Sequence, residues 1–154
     1  MQVRKHTDHV ETYDSWLRGM EQLQHLTKES IAQARRMFER AIEAVEKAIR
    51  LNPRPPTYYL NTLGWNYFLA GQYEEAISAL KKAISHNPNY LYAHTNLAGV
   101  YGELGRVEEA QAEATEILRL NPTYSLEVAR QMLPYKDPAV LERTLAAQRK
   151  AGLK

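Results

Sequence analysis

The sequence contains no cysteine. That absence removes disulfides, thiolate nucleophiles and most structural zinc sites at once, and it fits a reducing compartment. Long apolar runs are also missing, and none approaches the roughly 20 continuous residues of a membrane span. Residues 1–14 are polar and mixed in charge, without the apolar core of a secretory signal, so a cytoplasmic location is expected. Charge of one sign is scarce. Lys and Arg number 20 against 18 Asp and Glu in 154 residues, a net +2, which is too small to argue for nucleic acid. The distribution is uneven: residues 56–124 carry four Lys/Arg and seven Asp/Glu, residues 125–154 six and three. A solvated helix face accounts for such asymmetry, and a partner preference is the sharper alternative.

The parts of an active site are equally hard to find. His6 and His9 are three apart, but no third ligand follows at a metal-binding spacing. Gly99, Gly102 and Gly105 repeat every three residues, yet no strand precedes them and no Gly-Lys-Ser/Thr follows. Close helix packing and a helix end explain them better. Glu74-Glu75 and Glu108-Glu109 are paired carboxylates at the starts of helices, where the helix dipole favours negative charge. No nucleophile elbow is present. The sequence therefore assigns no catalytic residue, no cofactor and no metal, and predicts a protein that is not an enzyme.

What is present is a repeat. Asn87-Pro88 and Asn121-Pro122 lie 34 residues apart, as do Leu63 and Leu97, Tyr67 and Tyr101, Gly71 and Gly105, and Ala76 and Ala110. Asn52-Pro53 sits 35 residues before Asn87-Pro88. Within one period, 57–70 reads as a first helix with Leu60, Leu63, Tyr67 and Phe68 on an apolar stripe. Gly71 supplies a helix-ending left-handed residue. Residues 73–86 read as a second helix, with Ile77, Leu80 and Ile84 on one face. Small residues Gly64, Ala76 and Ala83 allow the two helices to approach closely, and Asn87-Pro88 stops the second. The next period repeats this over 91–104 and 107–120.

The flanks depart from the period. Residues 12–26 read as an opening helix carrying Tyr13, Trp16, Leu17, Met20 and Leu23, from which Trp16, Met20 and Gln24 are candidates to join a partner surface. The following helix, about 30–51, is too long, and two phases overlap in it: Ala34, Phe38, Ala41 and then Ala41, Val45, Ala48. Seven residues are nearly two turns, so both sets share a face. A tolerated insertion explains the extra length, and contact with a partner or a second copy is the sharper reading. At the other end, 125–133 reads as a short helix and 138–151 as a capping helix. Asp137-Pro138 opens the cap and Gly152 closes it.

A 34-residue period with these small, aromatic and proline positions resembles the tetratricopeptide repeat over about 52–124. The resemblance implies an all-α solenoid of antiparallel helix pairs. The expected organisation is a flexible stretch over 1–11 and one domain over 12–154, divided into an atypical unit (12–53), repeats (57–90 and 91–124) and a cap (125–154). The ending LPYKDPAVLERTLAAQRKAGL (133–153) and the opening YDSWLRGMEQL are further similar to tetratricopeptide modules of bacterial signalling proteins linked to cyclase or winged-helix domains. Arrays of this family curve so that first helices line a concave groove. The resemblance therefore implies a groove formed by Tyr58, Asn61, Thr62, Trp65, Phe68 and Leu69, then by Tyr92, Thr95, Asn96, Gly99 and Glu103. His94, where the family pattern has a bulky aromatic, is expected to be packed with one nitrogen satisfied. The groove positions contain no Lys or Arg, so capture of a free C-terminal carboxylate is not expected. The function implied is a scaffold that binds a protein or peptide partner through an aromatic groove. The alternative is a homodimeric, self-assembling module, and binding to nucleic acid or membrane is not expected.

Overall fold

A computed structural model describes Asp14, residues 28–132 and residues 138–154. The described residues form helices and turns with no strand. The elements are α1 (Lys28–Arg50), α2 (Thr57–Leu69), α3 (Tyr73–His86), α4 (Leu91–Glu103), α5 (Val107–Leu120), α6 (Leu126–Met132) and α7 (Pro138–Lys150). Consecutive helices from α1 to α5 pack on one another, and α2 also touches α4. The result is an all-α array of antiparallel helix pairs. The opening helix expected over 12–26, the histidines His6 and His9, and the cap expected at Asp137 lie outside the described residues.

The two kinds of helix differ because their sequences differ. α2 contains no charged residue and α4 contains only Glu103, near its end. A helix that is apolar on all sides belongs inside, and α2 and α4 are the most enclosed elements. α3 is two-faced: Ala76, Ile77, Ala79, Leu80 and Ala83 are buried, while Glu74, Glu75, Lys81 and Lys82 face water. α5 follows the same plan with Ala110, Ala114 and Ile117 inside. Glu74-Glu75 and Glu108-Glu109 occupy the first turns of α3 and α5, where they offset the positive end of the helix dipole.

The turns show why their residues are needed. Gly71 adopts φ +80° and Gly105 φ +70°. At the first of these, Gly71 N–H bonds to Phe68 O and Gln72 N–H to Tyr67 O. The second repeats the pair with Gly105 to Gly102 and Arg106 to Tyr101. These paired bonds form the Schellman closure, which satisfies carbonyls left open at a helix end. The Asn-Pro pairs do different work. The side-chain oxygens of Asn52, Asn87 and Asn121 accept from the backbone N–H two residues on, at 3.1, 3.1 and 3.2 Å. Asparagine holds the turn while proline prevents the helix from continuing.

α1 has 23 residues against 14 in α3. Both overlapping phases face the core, with Ala34, Phe38, Ala41 and Val45 buried. The extra turns are tied down where Arg35 Nε donates to Ala70 O at 3.2 Å. The C-terminal helix departs from a simple stack. α7 packs chiefly on α4, and less on α5 and α6. Leu145, Ala147, Ala151 and Leu153 are buried there. Tyr124 Oη donates to Gln148 Oε1 at 3.0 Å, and Leu126 N–H donates to Lys154 O at 2.8 Å.

Candidate partner-binding surface

The surface is built from equivalent positions of α2 and α4. Tyr58 pairs with Tyr92, Thr62 with Asn96, Trp65 with Gly99, Phe68 with Gly102 and Leu69 with Glu103, each 34 residues apart. Tyr58 and Tyr92 are 39% and 47% exposed. Asn96 Nδ2 donates to Asn61 Oδ1 at 3.0 Å, joining the two inner helices side chain to side chain. Asn61, Thr62, Leu69, Asn96 and Glu103 are half-buried. Burial, with the neighbouring Tyr59 hydroxyl, pushes Tyr58 up to about 12, so its phenol stays neutral at ordinary pH.

Three of the groove candidates have a different place. Trp65 is 7% exposed, Phe68 2% and Thr95 6%. Trp65 and Phe68 lie in the main core cluster with their ring centroids 4.8 Å apart. Thr95 Oγ1 turns back to Tyr92 O at 2.9 Å. These three shape the surface from beneath rather than offering it to a partner. An apolar helix in a two-layer array must spend its largest rings on the core, and spacing alone does not separate the two uses.

The glycines divide. Gly102 is close packing: a Cβ there would stand 2.3 Å from Ala147 O in α7. Gly99 is not, because an added Cβ would meet nothing within 4 Å among the described residues. The cap helix therefore lies over the α4 position equivalent to Phe68.

His94 is 4% exposed and has both nitrogens occupied, not one. Nδ1 is 2.6 Å from Glu113 Oε2, and Nε2 is 2.9 Å from Pro88 O. Both partners are oxygen atoms, one on a carboxylate and one on a backbone carbonyl. The pair ties α4 to α5 and to the preceding Asn-Pro turn. Two polar features, one buried and one half-buried, went unnoticed in the sequence. Asn66 is 1% exposed and its Nδ2 donates to Thr62 O at 2.9 Å. Tyr67 Oη donates to Glu46 Oε1 at 2.5 Å. Burial first, and then Glu46, pushes Tyr67 up to about 12. An asparagine beside Trp65, within the apolar stretch that ends α2, was the available signal for the first. The second links positions in different units, which no local pattern reveals.

Among the described residues, no group of three His, Asp or Glu side chains is placed to hold a metal ion. No described helix is long and apolar enough to cross a membrane.

Comparison with known proteins agrees with this architecture. The tetratricopeptide repeat family profile matches residues 67–131. Hsp70-Hsp90 organizing protein 3 of Arabidopsis thaliana is 26% identical over 126 residues, covering 66% of this chain and 23% of that protein. The uncharacterized protein ycf37 of Pyropia yezoensis is 39% identical over 61 residues, covering 40% of this chain and 34% of that protein. The chain thus spans about a quarter to a third of these relatives. A crystal structure of MamA superposes with TM-score 0.53 at 22% identity, covering 80% of this chain and 75% of that one. A second MamA structure gives 0.51 at 19%, covering 94% and 91%. The repeat profile is similar to the middle of the chain, over 67–131, and the two superpositions show that the array of helix pairs has the all-helical fold of MamA.

Proposed function

We propose that the protein is a non-catalytic scaffold that binds a protein or peptide along the exposed side of α2 and α4. The observation that carries this reading is the pair Tyr58 and Tyr92. They are exposed tyrosines at equivalent positions of adjacent inner helices. Tyrosine gives large contact area at little rotamer cost and is enriched at binding hot spots. Asn61 and Asn96, half-buried between them, supply carboxamides that an extended peptide backbone can engage. Thr62, Leu69 and Glu103 complete the contact surface, and Trp65, Phe68 and Thr95 hold it rigid. α2 and α4 contain no Lys or Arg, so a free C-terminal carboxylate finds no cation there. Selection from a random peptide library tests the reading. Selected peptides should lose about tenfold or more in affinity to Tyr92→Ala while helicity stays unchanged. Peptides indifferent to both Tyr58→Ala and Tyr92→Ala would refute it.

A second reading, self-association, is favoured by one observation. Ile31 and Leu51, at the two ends of the long α1 region, are 50% and 72% exposed. The similarity of the ending to bacterial signalling modules supports a regulatory role for such a dimer. Light scattering over a concentration series separates the readings: a constant monomer mass eliminates self-association.

A further inference from the structure

A cleft of about 370 Å³ opens between α1 and α3, with α2 as its floor. It lies among the outer helices and shares no residue with the Tyr58–Tyr92 surface. Its size falls at the small end of ligand pockets. Leu60 and Leu63 make the floor apolar, Ile49 adds an apolar patch on the α1 wall, and the charges around the rim are arranged by sign. Glu46 and Glu75 stand at the end marked by Tyr67: Glu46 accepts its hydroxyl, and Glu75 acts on it electrostatically. Arg50 lies one turn further along α1 and Lys82 two turns further along α3. The cleft therefore runs from acidic to basic across an apolar middle.

The rim charges are available. Glu75 and Lys82 form no ion pair among the described residues, and both are exposed. Arg50 meets Glu46 at 3.7 Å, with the arginine 68% exposed, a contact easily exchanged in water. Glu75 and Lys82 are seven residues apart, or about 10 Å along a helix axis. Three extended residues span the same distance, about 10 Å. We propose that this cleft is a binding site for a short zwitterionic peptide with apolar side chains. Its ammonium would lie between Glu46 and Glu75, its carboxylate would meet Arg50 and Lys82, and its side chains would rest on Leu60 and Leu63.

The test is titration of the full chain with trileucine, followed by backbone amide shifts in NMR. Shifts at about millimolar peptide should localise to residues 46–50, 60–67 and 75–82. Glu75→Lys and Lys82→Glu should each weaken binding about three- to tenfold, and added salt should do the same. Ser78→Trp, which fills the cleft from an exposed rim position, should abolish it. Tyr92→Ala should leave it intact, which separates this site from the surface proposed above. The idea is overturned by the absence of localised shifts, or by equal binding of acetyl-trileucine-amide, which lacks both charges. Binding indifferent to both charge reversals and to Ser78→Trp would overturn it too.

Discussion

The two 34-residue units solve one packing problem in two ways. In the first, Trp65 and Phe68 put large rings beside the inner helix. In the second, the equivalent residues are Gly99 and Gly102, and the backbone of α7 lies against Gly102. At the Phe68/Gly102 position a side chain fills the space in one unit, and the backbone of a helix fills it in the other. The same exchange occurs between inner and outer helices. Gly64 makes room for Leu80, with a Cβ placed there only 2.6 Å from the Leu80 side chain. The equivalent pair in the second unit is Ala98 and Ala114, two mid-sized residues in place of one absent and one large. The partners across each contact change size together, the large residue shrinking where the glycine gains a methyl. Cores tolerate such redistribution better than any single change of size.

Substitutions that move one unit toward the other test this picture. The largest effect should come from Phe68→Ala, which empties the first unit without supplying a helix. It should cost about 3–5 kcal/mol in denaturant unfolding. Gly102→Phe makes the opposite move and should cost about 3 kcal/mol by driving α7 away. Hydrogen exchange at Leu145 and Leu153 should then rise well before exchange in α2 and α3. Gly64→Ala should cost about 1–3 kcal/mol. Combined with Leu80→Ala, its penalty should fall well short of the sum of the two single changes, because the double variant reproduces the Ala98–Ala114 pair. The smallest effect should be a gain. Gly99→Ala meets no neighbour among the described residues, so it should stabilise by about 0.5–1 kcal/mol, the difference in helix propensity. A loss at Gly99→Ala would show that the open space beside α4 is not open in solution.

The sequence made the array legible because its markers are local. The 34-residue spacing of Gly71/Gly105 and of the Asn-Pro pairs placed α2 to α5 within a residue at each end. Helix ends set by a left-handed glycine or an Asx turn leave little freedom. The long α1 was legible too, since two phases on one face require one continuous helix. The surface was legible only in part. Tyr58 and Trp65 are both aromatic residues on the uncharged face of α2, yet one is exposed and the other buried. That outcome depends on which neighbouring helix covers them. The position of α7 over Gly102, the second bond of His94 and the Tyr67–Glu46 contact are tertiary facts of the same kind. None leaves a periodic trace.

The cap helix also bears on how the chain assembles. Contacts between α1 and α5 join neighbours in sequence, so their loop-closure cost is modest and folding can spread from one pair to the next. Ala147 must instead reach back past α5 and α6 to meet Gly102. A contact of such separation is slow to form, and the cap can dock only on an α4 already in place. Opening should run in reverse, with α7 lifting first and the paired helices retaining their protection until last.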